Sequence, residues 1–134
     1  MARCSGWPAR DQLLVARVCE VLREVGTGPG DIGVLCLTNV SVRRVMAALR
    51  LAGLPVVELT EYDGAAVDAI KVGTIKRAKG LEFKHVLMAD VPANAHAGAK
   101  PPEDGADRER WELRRRELYV GMTRARDGLW VGVV

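Results

Sequence analysis

Apolar residues recur at Leu14, Val18, Val21 and Leu22 behind Asp11, a side chain suited to capping a helix, and the pattern stops at Gly26-Thr27-Gly28-Pro29-Gly30. That spacing predicts one amphipathic helix beginning at Asp11. The stretch Ile32 to Leu37 is a near-continuous apolar run ending in Thr38 and Asn39. Val42, Val45, Met46 and Leu49 then share a helical face until Gly53 and Pro55 intervene. A strand, a helix and a turn follow. Further short apolar runs occupy Val56 to Leu59, Ile70 to Ile75, His85 to Ala89 and Leu129 to Val134, the last preceded by a long helical segment from about Asp107 to Arg126.

These runs lack the polar-apolar alternation of a sheet with one wet face, and they alternate with helices. Both features predict parallel strands covered on two sides, which is a three-layer α/β fold with a mainly parallel sheet. Residues Val91 to Ala106, rich in Pro, Ala and Gly and without periodicity, predict a mobile loop ahead of the last helix. No internal repeat or charge block interrupts the chain.

At 134 residues the chain allows one compact domain, and a two-domain motor does not fit. Hydrophobic residues at 49% and charged residues at 28%, with a net charge of +3, exclude a disordered or membrane composition. The aromatic content is only 4%, so a nucleic-acid surface with a ring for every bound base is hard to supply, while contacts to backbone and phosphate remain open. Cys4, Cys19 and Cys36 are odd in number and match no zinc spacing, which predicts reduced thiols in a cytoplasmic protein. The segment from Met1 to Gln12 has no continuous apolar run, so no secretory signal is expected, and no segment reaches the ~18 apolar residues that span a bilayer.

Neither G-x-x-x-x-G-K-[S/T] nor G-x-G-x-x-G is present, and the glycines at 26, 28 and 30 come after a helix and before a strand, the reverse of the order a phosphate loop needs. His85 and His96 lack a partner at ligand spacing, so no metal or nucleophilic site is expected. Two segments carry more. Val72 to Phe83 runs from a strand through the basic turn Lys76-Arg77-Ala78-Lys79 to Glu82, held between apolar neighbours, and its polar groups are expected at the strand's C-terminal end, where open α/β sheets place ligands. Arg108 to Asp127 is rich in arginine; at helical spacing Glu117, Gly121 and Arg124 share a face beside Leu118 and Met122. Plainer readings exist for both, a solvated basic turn and a salt-bridged exposed helix. The second explains Arg124 poorly, because the run Tyr119 to Thr123 before it is mostly uncharged and expected to pack.

The residues Thr74-Ile75-Lys76-Arg77-Ala78-Lys79-Gly80-Leu81-Glu82-Phe83 resemble motif V, T-x-H-x-x-K-G-L-E-F, of the UvrD, Rep and PcrA group of superfamily 1 DNA helicases. Arg116 to Arg126, with its Tyr119-Val120-Gly121-Met122-Thr123-Arg124-Ala125 core, resembles motif VI of the same group. Upstream, Ile32 to Asn39, the following helix and Ala52-Gly53-Leu54-Pro55 resemble the family's A-V-L-x-R-T-N strand, helix and G-I-P turn, so the likeness covers about residues 11–134. Lys76 stands where the family often has His, and Leu37 where it often has Arg. Nothing corresponds to Walker A, Walker B or the motif IV arginine, and the segment between Pro55 and Thr74 is too short for the large inserted subdomain of full-size relatives.

The resemblance implies a RecA-like domain lacking its own Walker A loop, the second motor domain of an ATP-dependent single-stranded-DNA translocase or helicase, inactive as an ATPase alone. By the same resemblance Arg124 is the arginine finger aimed at the γ-phosphate, Gly80 lets the backbone approach the nucleotide, and Glu82 accepts a hydrogen bond from its sugar. Thr74 and Lys76 face single-stranded DNA, with Lys79 serving DNA or nucleotide. ATP with Mg²⁺ would be shared with a Walker A/B-bearing partner domain, and no membrane is implied. A non-catalytic module binding single-stranded DNA or a helicase partner, or a truncated remnant, remains open at this stage.

Overall fold

The structure is a computed structural model that describes residues 2–3, 7–92 and 100–133. Much of the loop expected over 91–106, with His96, falls outside these residues, as do Cys4 and Val134. In chain order the elements are β1 (Ala2–Arg3), α1 (Trp7–Leu22), β2 (Ile32–Cys36), α2 (Asn39–Leu51), β3 (Val56–Glu58), β4 (Ile70–Thr74), β5 (Phe83–Val91), α3 (Gly105–Met122) and β6 (Ala125–Val133). Among the described residues the strands form a six-stranded sheet in the order β1-β6-β5-β2-β4-β3, with every pairing parallel.

Both faces of the sheet are covered, as the unbroken apolar runs require. On one side Leu14, Val18 and Val21 of α1 and Val42, Val45 and Leu49 of α2 pack on Ile32, Val34, Ile70, Val72 and Leu87. On the other, Leu118 of α3 and Ile75 and Ala78 of the β4–β5 connection pack on Leu35, Phe83, Val86 and Met88. Successive β5 residues alternate between the two cores, Leu87 to the first and Val86 and Met88 to the second, which makes the architecture three layers. Gly33 is where β2 and β5 close up: a Cβ there would lie 2.7 Å from the Phe83 ring.

Three boundaries differ from the sequence pattern. α1 begins at Trp7 rather than at Asp11, because Pro8 fits a first helical turn that needs no N–H donors, and Asp11 spends its carboxylate on Arg10 and Arg44 instead of a cap. α3 stops at Met122, with Thr123 as its C-cap, four residues short of Arg126. β6 starts at Ala125 rather than Leu129, because Ala125 pairs with Phe83 and draws the polar Arg126 and Asp127 into the strand. α2 follows its prediction: the Thr38 hydroxyl accepts from the Ser41 N–H at 3.2 Å, and Gly53, at φ +78, closes the far end.

The connection from β4 to β5 positions the site. Two parallel neighbours of β2 require the chain to travel back along the sheet, and residues 75–82 do so with only a single 3-10 turn at Lys76–Ala78. Ile75 N–H donates to the Cys36 carbonyl at 3.0 Å, and Leu81 N–H to the Ala78 carbonyl at 2.9 Å.

Candidate functional site

At the C-terminal ends of β2 and β4, Leu37, Thr38 and Asn39 face Thr74, Lys76 and Arg77 across a cleft of about 580 Å³. Lys76 and Arg77 are exposed, so their charges are available to a ligand. The Thr74 hydroxyl oxygen accepts from the Arg77 N–H at 3.3 Å, which leaves its proton free to donate outward. Thr38, Asn39 and Arg77 were not singled out by sequence; only the pairing of β2 with β4 brings them to Thr74 and Lys76.

Lys79 lies in a different hollow, of about 260 Å³, between the β4–β5 connection and α3, lined also by Lys76, Leu113, Arg116 and Glu117. Gly80 and Glu82 lie farther along. The expectation that all polar groups of Val72 to Phe83 gather at the C-terminal end of the strand is therefore corrected: the connection carries Gly80 and Glu82 to the opposite edge, where β5 and β6 begin. Gly80 adopts φ +81 with open space where a Cβ would stand, and Glu82 is exposed.

Arg124 belongs to this second edge. Phe83 N–H, the residue after Glu82, donates to the Arg124 carbonyl at 2.8 Å, and Phe83 and Ala125 are in register. Arg124 is not on the helical face with Glu117 and Gly121 that its spacing suggested, because α3 has ended before it. Its Nε donates to the Val120 carbonyl at 3.2 Å, an acceptor of the last helical turn that the Thr123 hydroxyl also reaches at 2.8 Å, and its Nη2 donates to that hydroxyl at 3.2 Å. Among the described residues no carboxylate pairs with it; Asp127 pairs with Arg126 at 3.5 Å. The run before it is also only partly packed: Leu118 and Gly121 are buried, whereas Tyr119 is 69% exposed. A half-buried guanidinium held by neutral acceptors keeps its full charge for an anion.

Behind the first cleft lies a polar cluster the sequence reading missed. Both oxygens of Asp90 accept the Leu37 N–H, at 2.9 and 3.1 Å. Ser41 also hydrogen-bonds Asp90. The fully buried Arg10 donates to the Ala89 carbonyl at 3.0 Å and pairs with Asp11 at 2.7 Å. Burial pushes the Cys36 thiol well up, helped by the Asp90 charge, so this thiol is no nucleophile.

Burial likewise pushes the Asp90 carboxyl up from its ordinary value, against the lowering effect of Ser41, the Leu37 N–H and the charges of Arg10 and Arg114. A carboxyl raised in the folded chain holds its proton where the unfolded chain has lost it. Its contribution to stability is thus fully present below the ordinary carboxyl value and is lost as pH rises through the raised one. Asp90→Asn is expected to gain stability relative to wild type as pH rises from about 4 toward neutrality, read from urea midpoints at several pH values. A difference constant with pH would show that this carboxyl is not desolvated.

A family model for the UvrD-like helicase C-terminal domain matches residues 37–134. The chain belongs to that family. The fold agrees with solved structures at low identity. The C-terminal domain of a possible DNA helicase from Lactobacillus plantarum WCFS1 is 17% identical with a TM-score of 0.72, over 99% of this chain and 71% of that one. The C-terminal domain of the DEAD-box protein Dbp5 is 13% identical with a TM-score of 0.58, over 100% of this chain and 75% of that one. No curated protein matches the sequence. The UvrD-like match begins at Leu37 and so takes in both clefts and Arg124, but not α1. Among the described residues no helix is long and apolar enough to cross a membrane.

Proposed function

We propose that this UvrD-like domain is the second motor domain of an ATP-dependent single-stranded-DNA translocase or helicase, and that it completes a nucleotide site whose phosphate loop belongs to a separate RecA-like domain. The observation that carries the reading is the junction of β5 and β6, where one backbone hydrogen bond joins Phe83, the residue after Glu82, to Arg124 at an edge apart from the Thr74 cleft. A module that only held DNA would need the cleft and not the junction.

The residues present at that junction fit part of a nucleotide. Arg124 offers a planar fork with no competing carboxylate among the described residues, suited to phosphate oxygens. Glu82 offers an exposed acceptor for a sugar hydroxyl, and Gly80 a backbone that can be approached closely. ATP with Mg²⁺ would supply the phosphoryl group transferred to water. Its metal ligands and phosphate loop would come from the Walker-bearing partner, since neither motif is in this sequence. Thr74 and Lys76 would hold a DNA phosphate with a hydroxyl and an ammonium, without reading sequence, and Lys79, in the hollow between the two edges, would serve strand or nucleotide.

The test is a titration of the chain with a fluorescent dT oligonucleotide at several salt concentrations. Two or three phosphate contacts predict a slope of log K against log salt of about −1.4 to −2.1, and Lys76→Ala should make it shallower by about 0.7. Binding that ignores salt, or that favours duplex over single strands, would remove DNA from this cleft.

A further inference from the structure

We infer that Asp90 is a positioning residue for the DNA cleft, holding the Leu37–Asn39 wall at a fixed distance from the Thr74–Arg77 wall without touching DNA itself. This rests on the reading of that cleft as a DNA site. The two walls come from different strands: Thr74, Lys76 and Arg77 follow β4, whereas Leu37, Thr38 and Asn39 form the turn between β2 and α2. β5 flanks β2 on the side away from β4, so Asp90 approaches the turn from behind and is not among the residues lining the cleft.

Two polar groups of the turn, the Leu37 N–H and the Thr38 hydroxyl, lead back to this one carboxylate. The Leu37 N–H, the first donor past the end of β2, is taken by both Asp90 oxygens. The Thr38 hydroxyl donates to Ser41 Oγ at 3.1 Å, while its oxygen accepts the Ser41 N–H at 3.2 Å. Ser41 Oγ–H is then directed to Asp90. A chain of donors thus runs from Thr38 through the buried Ser41 to the carboxylate, and it fixes at once where α2 starts and how Thr38 and Asn39 face Lys76. On its other side the end of β5 is held by the Arg10 guanidinium on the Ala89 carbonyl, so the anchor is rigid. The first residue of the same strand, Phe83, donates its N–H to Arg124. β5 therefore joins the DNA wall at its last turn of backbone to the nucleotide junction at its first.

The experiment compares Asp90→Ala, Asp90→Asn and Ser41→Ala with wild type, as full chains, for binding of a fluorescent dT oligonucleotide across the salt series and for melting temperature. Because the displaced wall is uncharged, Asp90→Ala is expected to weaken binding about tenfold at every salt concentration with an unchanged slope, the worth of one or two lost hydrogen bonds. Asp90→Asn, which keeps one accepting oxygen, should fall between Asp90→Ala and wild type. In a Thr38→Ala/Asn39→Ala background, Asp90→Ala should add no further loss. Tighter binding with a steeper slope would mean that Asp90 acts only as a remote negative charge, and unchanged affinity with a lowered melting temperature would mean that it serves the fold alone; either result overturns the inference. Wild-type chain that shows no salt-dependent binding to the oligonucleotide would instead overturn the DNA reading beneath it.

Discussion

Arg124→Lys is expected to lower the DNA-stimulated ATP turnover of the assembled two-domain motor by about a thousandfold or more, with the melting temperature of the domain unchanged. The fold should survive because lysine can still reach the Val120 carbonyl, and because no carboxylate among the described residues depends on the guanidinium. Turnover should not survive, since an ammonium cannot span two phosphate oxygens as the planar fork does. The measurement is steady-state ATP hydrolysis with saturating single-stranded DNA, with the unassembled domain, expected to be inactive, as the blank. Near-normal turnover by the lysine variant would reduce Arg124 to what its observed bonds already show, a basic cap on the last turn of α3.

The strands were legible because burial on both faces leaves an unmistakable trace: β2 reads Ile-Gly-Val-Leu-Cys and is buried throughout. What periodicity could not show were boundaries set by pairing across the sheet. β6 extends back to Ala125 only because Phe83 stands opposite, and nothing in Ala125-Arg126-Asp127-Gly128 advertises a strand. α1 gained its first turn from Pro8, invisible to a pattern that waits for the first buried apolar residue at Leu14. In the same way, counting by helical turns put Arg124 on a face of α3, and the helix ended one residue before its C-cap Thr123.

The family was legible in the sequence, and the layout of the candidate site was not. The residue types of the two motif-like segments pointed to the right family: the chain is a UvrD-like helicase C-terminal domain. Their distribution over two edges and a hollow depends on β4 and β5 being parallel, which forces the Lys76 to Glu82 segment across the sheet. Asp90 and Ser41 were silent for a different reason. Each is an ordinary polar residue in its own neighbourhood, and their meaning arises between segments 53 residues apart, at the Leu37 N–H.

Arg10 carries the same lesson into stability, with the largest expected effect on the fold. Its side chain is fully buried, donating to Ala89 at the end of β5 and pairing with Asp11, itself 22% exposed and reached also by Arg44 at 3.4 Å. Arg10→Ala removes one partner of a buried pair and orphans a buried carbonyl, a change that costs about 3–5 kcal/mol, toward the lower end here because Arg44 remains beside Asp11. Arg10→Met also takes the donors from Asp11 and the Ala89 carbonyl but fills the space an alanine would leave empty, so it should cost less, about 1–3 kcal/mol. Urea unfolding reads both as a lowered midpoint at constant m value. The comparison bears on what the domain needs in order to fold. The UvrD-like match starts at Leu37, yet Leu14, Val18 and Val21 of α1 belong to the sheet's first core, and Arg10 is the group that pins that helix to β5. If Arg10→Ala unfolded at the wild-type midpoint, α1 would be held by its apolar face alone, and Asp90 would lose the support behind its strand.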